Sequence, residues 1–368
     1  MPVTPTELGV FLPVGSGGWI TSTTSPEIPA TYEYNKAVTV LAEELGMDFA
    51  LSMAKWRGYG GSSNHWDTTL ESLSTTAALA EATSRINLWA TVHTMVFHPA
   101  VVAKMGAVID QVSGGRFGLN LVAGSNPWDQ GQFGLWKDLD HSERYELAEE
   151  WITVARRLWT EDRVDFHGKH FTLDDCVSDP KPTTAPPIIC AGASDTGFRF
   201  TTSTCTGSLI QGGDSEKHIT TARRAKEIAA ERGRDDFKTY GLFTLIPGDT
   251  DAEAEERVAL YNAGVDIDAL QQQAFEYSTD TRAAGKNTSA KNFIELGKDA
   301  LAVPKGALAG SPETIARRLA RSVNEGQLDG IVVIVPDFIA DLRIVGEQVA
   351  PLLAEHGVVT QAAGVIVA

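Results

Sequence analysis

The sequence predicts an α/β fold, a (β/α)8 TIM barrel in one domain over residues 1–368, and three observations carry that expectation. Apolar strands and amphipathic helices alternate almost from end to end. The strand runs are short and largely apolar, which marks strands covered on both faces and joined by crossover helices. Eight strand–helix units can be marked off with no linker dividing the halves, and that number favours a closed barrel over an open doubly wound sheet.

In order, "ELGVFLPV" reads as the first strand and "TYEYNKAVTVLAEELG" as a helix with a glycine stop. "FALSMA" and the helix "TTLESLSTTAALAEATS" follow, then "INLWATV" and "HPAVVAKMGAVIDQVSGG". A Gly-Gly turn opens the fourth strand, "RFGLNLVAG", and after a loop comes the long helix "SERYELAEEWITVARRLWT". The second half pairs "PPIICAG" with "SDTGFRFTTSTC", "GSLIQG" with "SEKHITTARRAKEIAAERG", "KTYGLFTLIPG" with "DAEAEERVALYNAG", and "DGIVVIVPDF" with "DLRIVGEQVAPLLAEHG". Two stretches fall outside this repeat. "DRVDFHGKHFTLDD" alternates about a His-Gly turn and reads as an inserted hairpin. Residues 278–310 are long, polar and weakly patterned, so a lid-type loop is expected there.

Composition narrows the function. A formal net charge of -17 without a Lys/Arg cluster argues against nucleic acid as a partner. No apolar run is long enough to span a membrane. The N-terminus lacks a signal-peptide pattern, and the three cysteines, Cys176, Cys190 and Cys205, share no metal-ligand spacing and read as reduced thiols; a cytoplasmic protein is expected. Nor do HExxH, GxSxG or GxGxxG occur, so a metal site, a serine hydrolase and a Rossmann domain all lose support.

In a (β/α)8 barrel the chemistry sits at the C-terminal ends of the strands. That rule collects Ala54 and Lys55 after strand two, Thr91 near the end of strand three, Asn120 near the end of strand four, and Ser194 after strand five. Asn120 is the unusual one, a side-chain amide inside an apolar run. Each has a plainer explanation. A buried Asn or Thr is often only hydrogen-bonded within a core, Lys55 and Arg57 could be rim charges, and Ser194 could simply cap a helix. His93 and His98 flank an aromatic turn, where packing is the commoner role.

Five motifs run in order along nearly the whole chain: "SGGRFGLNLVAG", "HSERYELAEEWITVARRLW", "FHGKHFTLDD", "PKPTTAPPIICAGASDTG" and "GSPETIARRL". On these the sequence resembles the bacterial luciferase-like flavin monooxygenases. The stretches "GVFLPVGSGGW", "NKAVTVLAE", "DFALSMAKWRGYGG" and "WDTTLES" bring it nearest to the branch that oxidises pyrimidines. The resemblance implies a barrel with inserted segments. It also implies non-covalent FMN, delivered reduced by a separate NAD(P)H:flavin reductase, O2 as co-substrate, and a homo-oligomer.

Carried over by motif, Ala54 and Lys55 of "SMAK" would line the flavin, and Asn120 with Thr91 would form the polar pocket where oxygen meets it. Arg144 and Tyr145 of "SERY" and Ser194 of "GASDTG" would hold the ribityl phosphate, and Asp129 would stand near flavin and substrate. Leu51, Ser125, Trp128 and Asp129 would form the substrate wall. The pyrimidine branch carries a tryptophan where this chain has Ser125, so the resemblance leaves two substrates open, a pyrimidine whose ring is opened and riboflavin cleaved to lumichrome. Two other classes stay in view: an oxidoreductase of the same barrel using the deazaflavin F420, and a flavin-binding protein without catalysis.

Overall fold

The computed structural model describes residues 5–124, 127–192, 194–211, 214–280 and 300–362. The strands are β1 (Glu7–Leu12), β2 (Phe49–Ser52), β3 (Asn87–His93), β4 (Phe117–Val122), β5 (Val164–His167), β6 (Thr172–Cys176), β7 (Ile188–Cys190), β8 (Gly207–Ile210), β9 (Lys238–Pro247), β10 (Leu308–Gly310) and β11 (Gly330–Ile334). Nine of them pair in parallel, and eight form a closed ring, because β9 joins β8 on one side and β11 on the other; β10 pairs with the end of β9. Strands β5 and β6 form the expected antiparallel hairpin.

The helices are α1 (Tyr32–Glu44), α2 (Ser72–Ala82), α3 (Pro99–Ser113), α4 (Pro127–Gly131), α5 (His141–Thr160), α6 (Asp195–Thr204), α7 (Ser215–Ala230), α8 (Asp251–Ala263), α9 (Ile267–Ser278) and α10 (Pro312–Gly326). A last helical run, from Ala340–Ile344 to Ala350–Glu355, is interrupted by a π turn at Val345–Val349. Capping side chains fix many of the starts: Thr31, Asp140, Ser194, Asp214, Thr250, Asp266 and Ser311 each accept a backbone N–H of the first turn. Helix α3 starts on Pro99 and stops at Gly114, which takes the left-handed conformation, φ 68°.

The connection between β9 and β11 differs from the sequence reading. It holds α8, then α9, then β10 paired to the end of β9, then α10. The expected lid of residues 278–310 thus begins on the last residue of α9 and ends in a strand, and its middle, 281–299, lies outside the described residues.

The N-terminal end of the barrel is closed by aromatic packing. Phe49 stacks on Trp89 with centroids 4.4 Å apart, and Tyr240 meets both edge-on at 5.6 and 5.3 Å. Three glycines make the room. A Cβ on Gly9 would lie 2.3 Å from the Phe49 ring, one on Gly118 2.6 Å from Trp89, and one on Gly330 2.4 Å from Tyr240. Gly118→Ala should therefore cost about 1–3 kcal/mol by overpacking, read as a lower urea midpoint. An unchanged midpoint would mean the floor is loosely packed.

Candidate active site

Strand alternation sets the site's layers. Side chains two apart share a face, so Thr91 and His93 stand above Trp89 on β3, Asn120 above Gly118 on β4, and Leu51 above Phe49 on β2. Thr91 and Asn120 are register partners, and Asn120 Nδ2 donates to Thr91 Oγ1 at 3.0 Å. Both are buried, and among the described residues Asn120 Oδ1 has no hydrogen-bond partner. The Thr91 backbone is held in turn: its N–H donates to Ser72 Oγ at 2.8 Å, and that hydroxyl donates to Ser52 Oγ at 3.0 Å. The first turn of α2 therefore supports the pair from outside the barrel. His93 lies one layer nearer the mouth. Burial lowers its imidazole to about 4, so it is neutral at pH 7, and its Nδ1 also lacks a partner among the described residues.

Beside this ladder sits a buried charge cluster. Lys55 Nζ lies 3.1 Å from Glu276 Oε2 and 3.5 Å from Asp129 Oδ1, with all three side chains at most 5% exposed. Asp129 Oδ1 also accepts the Trp56 N–H at 3.1 Å, tying α4 to the loop after β2. The ammonium stands 4.4 Å from the centroid of the Tyr59 ring. Burial raises the Glu276 carboxyl above the usual carboxylate range, while Lys55 opposes that shift. Trp128 faces elsewhere. It packs edge-on against Phe275 of α9 at 5.5 Å and carries the Arg57 guanidinium 4.6 Å from its centroid.

The first turn of α5 supplies a third group. Arg144 is buried, and its guanidinium makes a two-pronged pair with the Asp280 carboxylate, Nη1 to Oδ2 and Nη2 to Oδ1. Its Nε donates to Leu139 O at 3.0 Å, and it lies 4.9 Å from the Trp136 centroid. Tyr145 points around the helix toward α6. There the Ser194 hydroxyl caps Gly197 N at 3.0 Å and meets His141 Nε2 at 3.0 Å. His141 and Tyr145 are one turn apart, and their rings meet edge-on at 5.2 Å. Gly192 and Gly197 let the two segments close around the phenol, since a Cβ on either would lie 3.1 or 2.7 Å from its oxygen.

A closed parallel barrel with its polar groups at the C-terminal mouth agrees with a direct match: the luciferase-like monooxygenase family model covers residues 6–328. The chain belongs to that family. It is 38% identical over 353 residues to pyrimidine monooxygenase RutA of Escherichia coli O150:H5 (strain SE15), covering 94% of this chain and 91% of that protein. Among solved structures, riboflavin lyase RcaE superposes with a TM-score of 0.85 at 19% identity, covering 97% of this chain and 93% of that one. EDTA monooxygenase EmoA from Chelativorans sp. BNC1 gives 0.80 at 23% identity, covering 98% and 96%. At such identities the two structures speak for the fold alone. Family membership and the RutA likeness make this chain an oxidoreductase of the monooxygenase type.

In this luciferase-like chain the expected residues fall into three groups. Leu51, Thr91 and Asn120 share the wall above the floor, Lys55 meets Asp129, and Tyr145 and Ser194, the cap of α6, are joined through His141. Ala54 lies two residues past the end of β2 and is half-buried. Arg144 faces Asp280, and Ser125 lies outside the described residues. Glu276, Asp280 and His141 went unnoticed in the sequence. The helical spacing of "IDALQQQAFEYS" was the available signal for the first; His141 could have been read as one turn before Tyr145. Among the described residues no group of three His, Cys, Asp or Glu is placed to hold a metal, and no helix is long and apolar enough to cross a membrane.

Proposed function

We propose that this chain is the oxygenase of a two-component system. It takes reduced FMN from a separate NAD(P)H:flavin reductase and uses it with O2 on a small heteroaromatic substrate. The observation that carries this reading is the Asn120–Thr91 pair, buried and in register, with one amide oxygen lacking a partner. A buried acceptor without a donor costs about 1–3 kcal/mol. It is kept where a ligand supplies the N–H, and a flavin or a lactam ring does so.

The residues present suit that cofactor. Bound FMN would supply the electrons that activate O2, chemistry no side chain here can perform. Arg144, Tyr145 and Ser194 would hold the phosphate through charge-assisted and hydroxyl hydrogen bonds. Lys55, fixed between Asp129 and Glu276, would present an ammonium N–H beside the ring system. Asn120 and Thr91 would orient O2 and the reacting edge, while the Phe49–Trp89–Tyr240 floor keeps water from entering below.

For the substrate, the 38% identity to pyrimidine monooxygenases favours a pyrimidine ring that is opened. Ser125 in place of tryptophan favours a wider ring system, riboflavin cleaved to lumichrome. Aerobic turnover with FMN, NADH and a general flavin reductase, run separately on uracil and on riboflavin and followed by chromatography, decides between them. Oxygen-dependent loss of uracil selects the first and lumichrome the second. FMN binding without turnover of either would overturn both substrates. Arg144→Ala should weaken FMN about ten- to hundred-fold, the value of a lost charge-assisted bond; an unchanged titration would remove Arg144 from the phosphate site.

A further inference from the structure

Two buried cations assigned to the cofactor, Lys55 after β2 and Arg144 on α5, are neutralised by carboxylates at and just past the C-terminal end of α9. Glu276 takes Lys55 and Asp280, four residues on, takes Arg144. Neither carboxylate belongs to the barrel strands or to the motifs that carry the family likeness. The Arg144 pair is the more confining of the two. Its Nε is committed to Leu139 O, Trp136 lies against the guanidinium, and its Cδ is so near Gly124 that a Cβ there would stand 2.8 Å away. What remains is the two-pronged edge of the guanidinium, and Asp280 takes that edge with both oxygens.

We propose that Asp280 is an affinity-determining residue for the cofactor, an internal carboxylate that competes with the flavin phosphate for the same edge of Arg144. The proposal rests on the reading of Arg144 as a phosphate residue. Carboxylate and phosphomonoester both present paired oxygens to a guanidinium, and that planar fork accepts one such partner at a time. The phosphate must therefore displace an anion already in place. The cofactor is then held less tightly than Arg144 alone would hold it and leaves more readily, which suits a flavin that shuttles to a reductase after each cycle. The competition leaves the ring-binding part of the site untouched, so riboflavin, which lacks the phosphate, should not feel it.

The test is a double-mutant cycle read by FMN and riboflavin titrations on the full-length protein. Asp280→Asn should tighten FMN about ten-fold, one charge-assisted contact's worth, and leave riboflavin unchanged. In an Arg144→Ala background the same substitution should have no effect on FMN. If Arg144→Ala weakens FMN but Asp280→Asn does not tighten it, the competition is refuted while the phosphate site stands. If Arg144→Ala leaves FMN unchanged, the phosphate reading falls and the competition with it. The unsubstituted protein gives a check that needs no folded variant. Hydrogen exchange in the peptide ending at Asp280 should rise with FMN and not with riboflavin, and equal exchange with both would overturn the proposal.

Discussion

Asn120→Ala is expected to keep FMN binding while cutting substrate oxidation about 100-fold, the usual cost of removing one preorganised polar group at a reacting centre. NADH and O2 would still be consumed, because electrons delivered to a flavin that cannot direct them return to solvent as hydrogen peroxide. The prediction follows from the layering. Among the described residues the Asn120 side chain makes one hydrogen bond, to Thr91, and stands a layer above the floor, so its loss removes one polar contact at the site and leaves the aromatic packing below in place. Thr91→Val should act in the same direction, since it strips the oxygen that orients the amide. Thr91→Ser keeps the hydroxyl and should restore coupling. The measurement is the ratio of product to NADH consumed, with peroxide assayed alongside. Full coupling in Asn120→Ala would show that the pair is a core contact and that oxygen is handled elsewhere.

How much of this was legible in the sequence depended on how local each signal is. The barrel could be read because each strand is a short apolar run with a helix pattern after it, and both patterns survive without knowledge of their partners. Asn120 and Thr91 were legible for a related reason: a polar residue inside a buried strand stands out against its own neighbours. Helix α9 was not. Its apolar residues, Ile267, Leu270 and Phe275, are spaced among glutamines, and two of them are exposed on the surface. This segment contributes to the site through two acidic residues that look solvated in sequence, Glu276 near its end and Asp280 just past it. Their partners are 221 and 136 residues away in the chain. No local pattern reports an ion pair over that distance. The contacts of Trp128 were equally out of reach of the sequence: its indole packs on Phe275 of α9 and under the Arg57 guanidinium, partners that its neighbours in the chain do not announce.

Lys55→Met should be the most destabilising single change at the site, by about 3–5 kcal/mol, because it leaves the buried carboxylates of Glu276 and Asp129 without their shared cation. The size of the loss should depend on pH, and the sign follows from Glu276. Burial raises its folded-state pKa above the ordinary 4.5, and Lys55 pulls it back down. Without Lys55 the carboxyl is raised further. A carboxyl whose pKa is raised on folding binds its proton more tightly in the folded state. Its folded state is therefore favoured at low pH, and that advantage is lost as pH climbs through the folded pKa. The difference between Lys55→Met and the unsubstituted protein should shrink from pH 8 to pH 5 as Glu276 takes up a proton. Titrating groups that do not touch Lys55 are common to both proteins and cancel in that difference. Adding Glu276→Gln to Lys55→Met should recover more of the stability at pH 8 than at pH 5, because the raised carboxyl carries more of its proton at the lower pH. Urea unfolding of the four proteins at the two pH values measures all of this. A penalty that is the same at both pH values, with no recovery from the second substitution, would mean that Lys55 contributes through its packed stem against Tyr59 rather than through its charge.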